Sequence, residues 1–416
     1  MTEHEIVVIG GGPAGMAAAC AAFDAGVRDV VILDREDAPG GILRQCIHNG
    51  FGLHKLGKEL TGPEYAAVYQ TEVERRGIRV CSQTMVTEIT KDRVVTAYGR
   101  NGVLRIRAKA VVLAMGCRER SRGALNIPGT RPAGVYSAGT AQKLINCEGY
   151  MVGKRAVILG SGDIGLIMAR RLTLQGAKVE AVCELLPYSG GLKRNIVQCL
   201  EDFDIPLYLS TTVCEIHGKE RVEGVTVAQV DKRRRPVEST KRYIPCDTLL
   251  LSCGLIPENE LTRAAGIPVS PVTNGATVDE YRQTEIPGIF ACGNVLHVHD
   301  LVDYVSDEAE LAGKGAAAFV HGTLCAGKTV ETVPGSGVRY VLPQRLHPQA
   351  GEDAALFLRV AEPQKNVCYT VTSGDAVLAQ AKRLRAAPGE MEKIVLKAER
   401  LALADQPITV RLEAAE

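Results

Sequence analysis

Three glycines, Gly10, Gly12 and Gly15, follow the β-branched run Glu5 to Ile9 and open a helix-period segment from Ala14 to Ala25. Asp34 stands nineteen residues beyond the last of them, after the second apolar run Val30 to Leu33. In a strand, glycine turn, helix context this spacing binds a dinucleotide. Gly10 permits the tight turn, Gly12 admits backbone amides to a pyrophosphate, and Gly15 allows close helix packing. The start of the helix, at Pro13 and Ala14, stabilises the anion, and Asp34 accepts ribose hydroxyls. The same arrangement recurs at Gly160, Gly162 and Gly165, after Ala156 to Leu159 and before a helix carrying Ile164, and leads through Val179 to Cys183 to Glu184. A carboxylate there accepts the two hydroxyls of an unphosphorylated ribose and repels a 2′-phosphate, which favours NAD(H) over NADP(H).

The elements that must position these groups form a long-period repeat. In each copy a strand, the glycine turn, a helix ended by Gly26 or Gly176, and an acid-terminated strand are followed by a hairpin and an apolar strand ending in glycine. The first hairpin is expected from Arg93 to Tyr98 and Val103 to Ala108 around Asn101-Gly102, with a separate strand over Ala110 to Ala114 before Gly116. The second is expected from Val222 to Val230 and Pro236 to Tyr243, with the basic run Lys232 to Arg235 as its solvated turn, before Thr248 to Ser252 and Gly254. Thr284 to Asn294 and a small-residue helix from about Val305 to Val320 have no glycine turn of their own, so they return to complete the first domain. The expected organisation is α/β: two Rossmann-like domains, one dinucleotide-binding (1–122 and 284–330) and one NAD(H)-binding (150–262), the second inserted in the first. Segments 123–149 and 263–283 connect them, and short alternating runs over 331–416 read as a small all-β domain.

Composition narrows the function. The 416 residues are 46% hydrophobic with a formal net charge of +1, which suits two or three globular domains and argues against nucleic acid or an anionic membrane as main partner. The apolar start Ile6 to Ile9 is too short for a signal peptide or a membrane span, so a cytoplasmic protein without integral membrane association is expected. Thirteen cysteines lie singly, without a CxxC, so neither a zinc knuckle nor a thioredoxin-type pair is written here and no metal site is expected.

Across residues 1 to about 330 the sequence resembles the two-dinucleotide-binding-domain flavoproteins, the pyridine nucleotide-disulfide oxidoreductase superfamily. Ala114-Met115-Gly116 stands for that family's A-T-G, Gly254-Leu255-Ile256-Pro257 for G-x-x-P-N, and Gly293-Asn294 for G-D. The resemblance implies that position 294 bonds the flavin ribityl chain, and an Asn can still do so. It implies FAD contacts from Gly10, Gly12, Pro13, Ala14, Gly15, Asp34, Arg35, Gly41, Arg44, Val86, Ala114, Gly116, Gly293 and Asn294, with the flavin meeting the last helix around Tyr304 and Val305. It implies NAD(H) contacts from Gly160, Gly162, Ile164, Gly165, Glu184 and Gly254.

The family's redox cysteines are another matter. Counting from Gly40-Gly41 puts Leu43 and His48 at the positions of one familiar pair, with Cys46 between them, and Tyr136 to Ala141 offers no CxxC at the other. Disulfide reduction by the usual exchange is therefore not expected. The loop Arg44 to His54 is rich in functional side chains. Arg44 and His48 are expected near the flavin pyrimidine end, stabilising negative charge on the reduced ring, with His48 the candidate catalytic residue; the alternative is a hydrogen-bonded structural histidine. His297 and His299 are candidates to approach the same region. Cys117-Arg118-Glu119-Arg120 holds either a phosphate or partner carboxylate, or a surface ion-pair cluster.

Gly-Cys-Arg-Glu-Arg at 116–120, the stretch Pro128 to Gly139 and the added C-terminal domain resemble a narrower group. These are the FAD/NAD-binding subunits that accompany glycerol-3-phosphate dehydrogenase, hydrogen cyanide synthase or opine oxidase type dehydrogenases. Two functions follow: an FAD-dependent oxidoreductase exchanging hydride with NAD(H) by itself, or an electron-transfer subunit whose partner flavin dehydrogenase oxidises the substrate. An FAD-bound structural chaperone is a third class. The terminal domain is then a docking module or a homo-oligomerisation domain.

Overall fold

The computed structural model describes residues 1–415, in two compact units: residues 1–44, 49–117 and 257–415 in one, 45–48 and 118–256 in the other.

In the first unit the parallel strands Arg79–Cys81, Val30–Leu33, Thr2–Ile9 and Gly102–Leu113 lie side by side in that order, and Ile289–Ala291 pairs with the far side of Gly102–Leu113. Valine and isoleucine fill these strands because both faces are covered, and residues 6 to 9 are all buried or nearly so. The returning segment thus joins the first sheet, and the helix Val302–His321 packs on the glycine-turn helix Pro13–Asp24. That contact needs small residues: a side chain on Gly313 would collide with the Ala18 carbonyl.

One expectation is corrected. Gly102–Leu113 is a single strand of 12 residues where two were expected. Its first half pairs antiparallel with Val94–Gly99 around the turn Arg100-Asn101, while its second half pairs parallel with both Thr2–Ile9 and Ile289–Ala291. Lys109 is exposed at the change from alternating to continuous burial, and the sequence shows that change of period as a break although the backbone continues.

Residues beyond 330 form a five-stranded and a three-stranded sheet around their own apolar core, including Leu356, Leu358, Tyr369 and Val410. The strand Ala376–Ala386 and the short helix Ala398–Leu401 were not anticipated; the strand is an edge with charged or exposed residues at most positions, so it lacks a clean apolar alternation. Arg359 joins this sandwich to the first sheet's loops, donating to the Val298 carbonyl (3.0 Å) and to Asp300.

The second unit has a five-stranded parallel sheet ordered Val135–Ser137, Thr248–Leu251, Arg155–Leu159, Lys178–Cys183 and Leu207–Tyr208. Val135–Ser137 and the helix Ala138–Asn146, expected in a connecting segment, belong to it. Its antiparallel appendage has three strands, Thr211–His217, Gly224–Gln229 and Arg242–Pro245. The second hairpin arm therefore starts later than the expected Pro236, because a 3-10 turn occupies Glu238–Thr240. Lys232 to Arg235 form the exposed turn, tied by Asp231 Oδ1, which accepts from the N–H groups of Arg233 and Arg235.

Candidate functional site

Both glycine turns show the backbone that the fingerprint requires. Gly10 has φ +104° and a side chain there would collide with the Ala114 carbonyl; Gly15 would collide with the Gly10 carbonyl. Gly12, the residue before the helix Pro13–Asp24, offers no side-chain cap, and the nearest atom to a Cβ built on it is Gly41 Cα at 3.9 Å. The first N–H groups of a helix have no partner within it, so this glycine-lined, uncapped turn fits an anion such as the FAD pyrophosphate. Asp34 is buried; its Oδ2 accepts from Gly11 N–H (2.6 Å) and its Oδ1 from Glu36 N–H (2.8 Å). A carboxylate has about four acceptor positions, so two remain for ribose hydroxyls. The structure brings Ala14, Gly41, Ala114 and Gly293 to this turn: a Cβ on Gly293 would lie 2.7 Å from the Ala14 methyl. Val86 is buried in the strand Met85–Ile89, and Arg35 is exposed beside Glu36. Gly116 has φ +75° with nothing near its Cβ direction.

In the second unit Gly160 has φ +102° and would collide with the Ser252 carbonyl, while Gly162 has open space and leaves the helix Asp163–Leu174 without a side-chain cap. This arrangement also fits a dinucleotide phosphate. Glu184 is buried with three donors: Ser161 N–H (2.9 Å) and Ser161 Oγ–H (2.7 Å) on Oε2, and Leu186 N–H (2.9 Å) on Oε1. Ile164 is half-buried at the first turn of the helix and Gly254 has φ +99° with open space. Sequence reasoning missed Asp163, whose Oδ1 accepts from Leu192 N–H (2.8 Å) and Asn195 Nδ2–H (2.7 Å), fastening the following glycine loop to the helix start.

The loop leaving Gly41 divides. Arg44 reaches Asp37 Oδ1 at 2.5 Å, and this pair depresses the Asp37 carboxyl. Gln45 to His48 fall in the second unit, where Gln45 Nε2 donates to the Gly139 carbonyl (2.8 Å) and to Gln142 Oε1 (3.1 Å), and Asn146 Nδ2 donates to the Gln45 carbonyl (2.9 Å). Arg44 and His48 thus belong to different compact units. Cys46 is half-buried, and burial pushes its thiol up to about 12, far from a reactive thiolate at neutral pH. In the same unit Glu119 Oε2 accepts from Gly139 N–H (2.7 Å) at the start of the helix Ala138–Asn146, and Arg118 and Arg120 are exposed.

Behind Gly293-Asn294 lies a buried polar cluster that the sequence reading foresaw only in part. Glu308 is completely buried on the helix Val302–His321. Its Oε1 accepts from Arg282 Nε (3.1 Å) and His297 Nε2 (3.0 Å), and its Oε2 accepts from Gly293 N–H (3.0 Å). Burial opposes its ionisation, but the imidazoles of His297 and His299 and the Arg282 guanidinium, the permanent charge among them, outweigh burial and hold the carboxyl well below its usual range. Burial pushes His297 down to about 4, against the pull of Glu308. Ligand-type atoms of His297, His299 and Glu308 lie within 4.8 Å of one another, yet the carboxylate already accepts three hydrogen bonds and is neutralised by Arg282, which makes this an ion-pair pillar under the Gly293 turn. Glu308 had a sequence signal: an acid on a helix face otherwise made of Ser306, Ala309, Ala312 and Gly313 must be buried and paired. Farther along, Tyr304 stacks on His54 at 5.9 Å between ring centroids, and Val305 is buried against Gly293.

Two Rossmann-like domains with paired glycine turns, the second inserted in the first, define a dinucleotide-binding flavoprotein. The chain belongs to the pyridine nucleotide-disulphide oxidoreductase family, whose model matches residues 4–315. It is 27% identical over 342 residues to the A subunit of opine oxidase from Agrobacterium tumefaciens, covering 76% of this chain and 64% of that one. It is 25% identical over 339 residues to hydrogen cyanide synthase subunit HcnB of Pseudomonas protegens, covering 76% and 69%. The chain thus spans about two thirds of the length of these relatives. The thioredoxin reductase structure from T. acidophilum superposes with a TM-score of 0.61 at 22% identity, over 77% of this chain and 99% of that one, a likeness of fold. Among the described residues no helix is long and apolar enough to cross a membrane.

Proposed function

We propose that this chain exchanges hydride or electrons between NAD(H) and bound FAD without a redox-active disulfide. The observation that carries the reading is the pair of uncapped, glycine-lined helix starts, each beside a buried carboxylate with acceptor capacity to spare. Gly10, Gly12, Pro13, Ala14, Gly15, Asp34, Arg35, Gly41, Arg44, Val86, Ala114, Gly116, Gly293, Asn294, Tyr304 and Val305 hold FAD. Gly160, Gly162, Ile164, Gly165, Glu184 and Gly254 hold the nicotinamide dinucleotide. The domains are 1–122 with 284–330 for FAD, 150–262 for NAD(H) and 331–416 for the β sandwich. FAD, when bound, supplies the redox chemistry; the chain's residues bind, orient and exclude water. Glu184 favours NAD(H), since its ionised carboxylate repels a 2′-phosphate. His48 is the candidate for stabilising charge on the reduced ring, and the protein acts in the cytoplasm.

Anaerobic titration of the flavin-loaded protein with NADH, and separately NADPH, tests this. NADH is expected to bleach the oxidised flavin band faster than NADPH; bleaching by neither would overturn the reading. A second reading is favoured by the relatives' designation as enzyme subunits. In it the chain relays electrons for a partner flavin dehydrogenase acting on a glycerol phosphate, an amine or an opine. Steady NADH turnover with a dye by the isolated chain, alone or as a homo-oligomer, would exclude that reading.

A further inference from the structure

Asn294 is half-buried, and the two ends of its amide have different neighbours. Its Oδ1 accepts from His299 N–H at 3.0 Å and lies 3.3 Å from His299 Nδ1. A backbone N–H can only donate, so the oxygen is fixed on that side, and the imidazole Nδ1 must then carry its proton. The imidazole is itself held: its side chain is completely buried, and Nε2 faces Glu308 Oε2 at 3.3 Å without a hydrogen-bond partner. Glu308 in turn is fixed by Arg282 and by the N–H of Gly293, the residue before Asn294. The loop is thus closed on itself through buried groups. The Nδ2 of Asn294 is left on the opposite side, donating at 3.6 Å to Cys117 Sγ, a weak acceptor at the start of the short strand Cys117–Glu119.

We infer that His299 is a positioning residue for the flavin site: it fixes the Asn294 amide so that position 294 presents an N–H donor to the flavin side chain. A carboxylate at the same place would present only acceptors. This rests on the proposal that Asn294 contacts FAD. The functional consequence is that position 294 adds no negative charge beside the cofactor, and the only carboxylate of the cluster, Glu308, is buried and neutralised.

The test is a double-mutant cycle on the full chain, reading the FAD dissociation constant, the visible circular dichroism of the bound flavin and its midpoint potential. His299→Leu frees the amide and is expected to weaken FAD about threefold to tenfold, the equivalent of one hydrogen bond, and to alter the flavin dichroism. His299→Asn, which keeps a side-chain donor, restores both. Asn294→Asp, which places a negative charge beside an electron-rich reduced flavin, is expected to lower the potential. In an Asn294→Ala background His299→Leu adds nothing further. Undiminished effects of His299→Leu in that background overturn the inference, as does an effect of Asn294→Ala that His299→Leu does not reproduce. If Asn294→Ala and Asn294→Asp both leave affinity, dichroism and potential unchanged, the flavin contact itself falls, and with it the inference.

Discussion

At the first glycine turn the helix Pro13–Asp24 has no acid in its first turn, and Asp34 keeps about half its acceptor capacity free. At the second, Asp163 occupies the first helical position and draws the loop to Asn195 over the helix start, while Glu184 already serves three donors. A carboxylate at a helix N-terminus stabilises the free helix through its dipole and competes with an incoming phosphate for the same field. The two turns share one backbone, therefore, but the first is built to be filled and the second is already partly satisfied when empty. That difference suits a resident cofactor at one turn and an exchanging one at the other.

The largest lesion separates the two. Gly10→Ala introduces a Cβ at φ +104° that collides with the Ala114 carbonyl, and Gly160→Ala does the same at φ +102° against Ser252. Each is expected to cost about 3 kcal/mol or more locally, within the range for strained backbone and overpacking together. Gly10→Ala should yield colourless or insoluble protein, while Gly160→Ala should stay yellow and lose reduction by NADH. Flavin content at purification, with stopped-flow reduction, reads both. Loss of flavin from Gly160→Ala would show that the second turn is part of the first site's stability and break the contrast.

How much of this was readable in advance follows the physics of each feature. Glycine turns, acid-terminated strands and the returning Ile289–Ala291 strand were legible because backbone conformation and burial impose residue types at fixed spacing. Asp163 looked like any acid in a first helical turn; its partners at 192 and 195 are set by how the loop folds back, which no periodicity encodes. His297 and His299 were visible as residues but their partners were not, since Glu308, which accepts from both Arg282 and His297, meets them only once its helix is packed in place. That Arg44 and His48 fall in different compact units was not readable, since it follows from Gln45, whose hydrogen bonds to Gly139 and Gln142 no spacing in the sequence encodes. The edge strand Ala376–Ala386 was missed because one side of it is bare to solvent.

The next contrast is nucleotide selectivity, which the second turn alone should control. Glu184→Gln keeps an acceptor for Ser161 or Leu186 but removes the charge facing a 2′-phosphate. Two like charges about 4 Å apart near a surface interact by roughly 1–4 kcal/mol, so the NADPH-to-NADH ratio of kcat/KM should rise about tenfold. Asp34→Asn, at the other turn, should leave that ratio where it was. A change in the ratio of equal size from both variants would mean that the carboxylates do not act locally.

The smallest expected effect is the most specific to the comparison. If Asp163 competes with the pyrophosphate, Asp163→Asn should lower the KM for NADH about twofold to fivefold, the equivalent of roughly 0.3–1 kcal/mol for one charge at a helix end. The amide retains an oxygen for Leu192 N–H and Asn195 Nδ2–H, so the loop need not come loose. Raising the ionic strength should shrink the difference between wild type and variant, because a charge at an exposed helix end is screened. If instead the loop contacts matter more than the charge, Asn195→Ala will raise the KM for NADH while Asp163→Asn, which keeps the acceptor oxygen, will leave it unchanged. In that case the folded-over loop is a wall of the binding site, and the second turn is shaped for its nucleotide no less than the first.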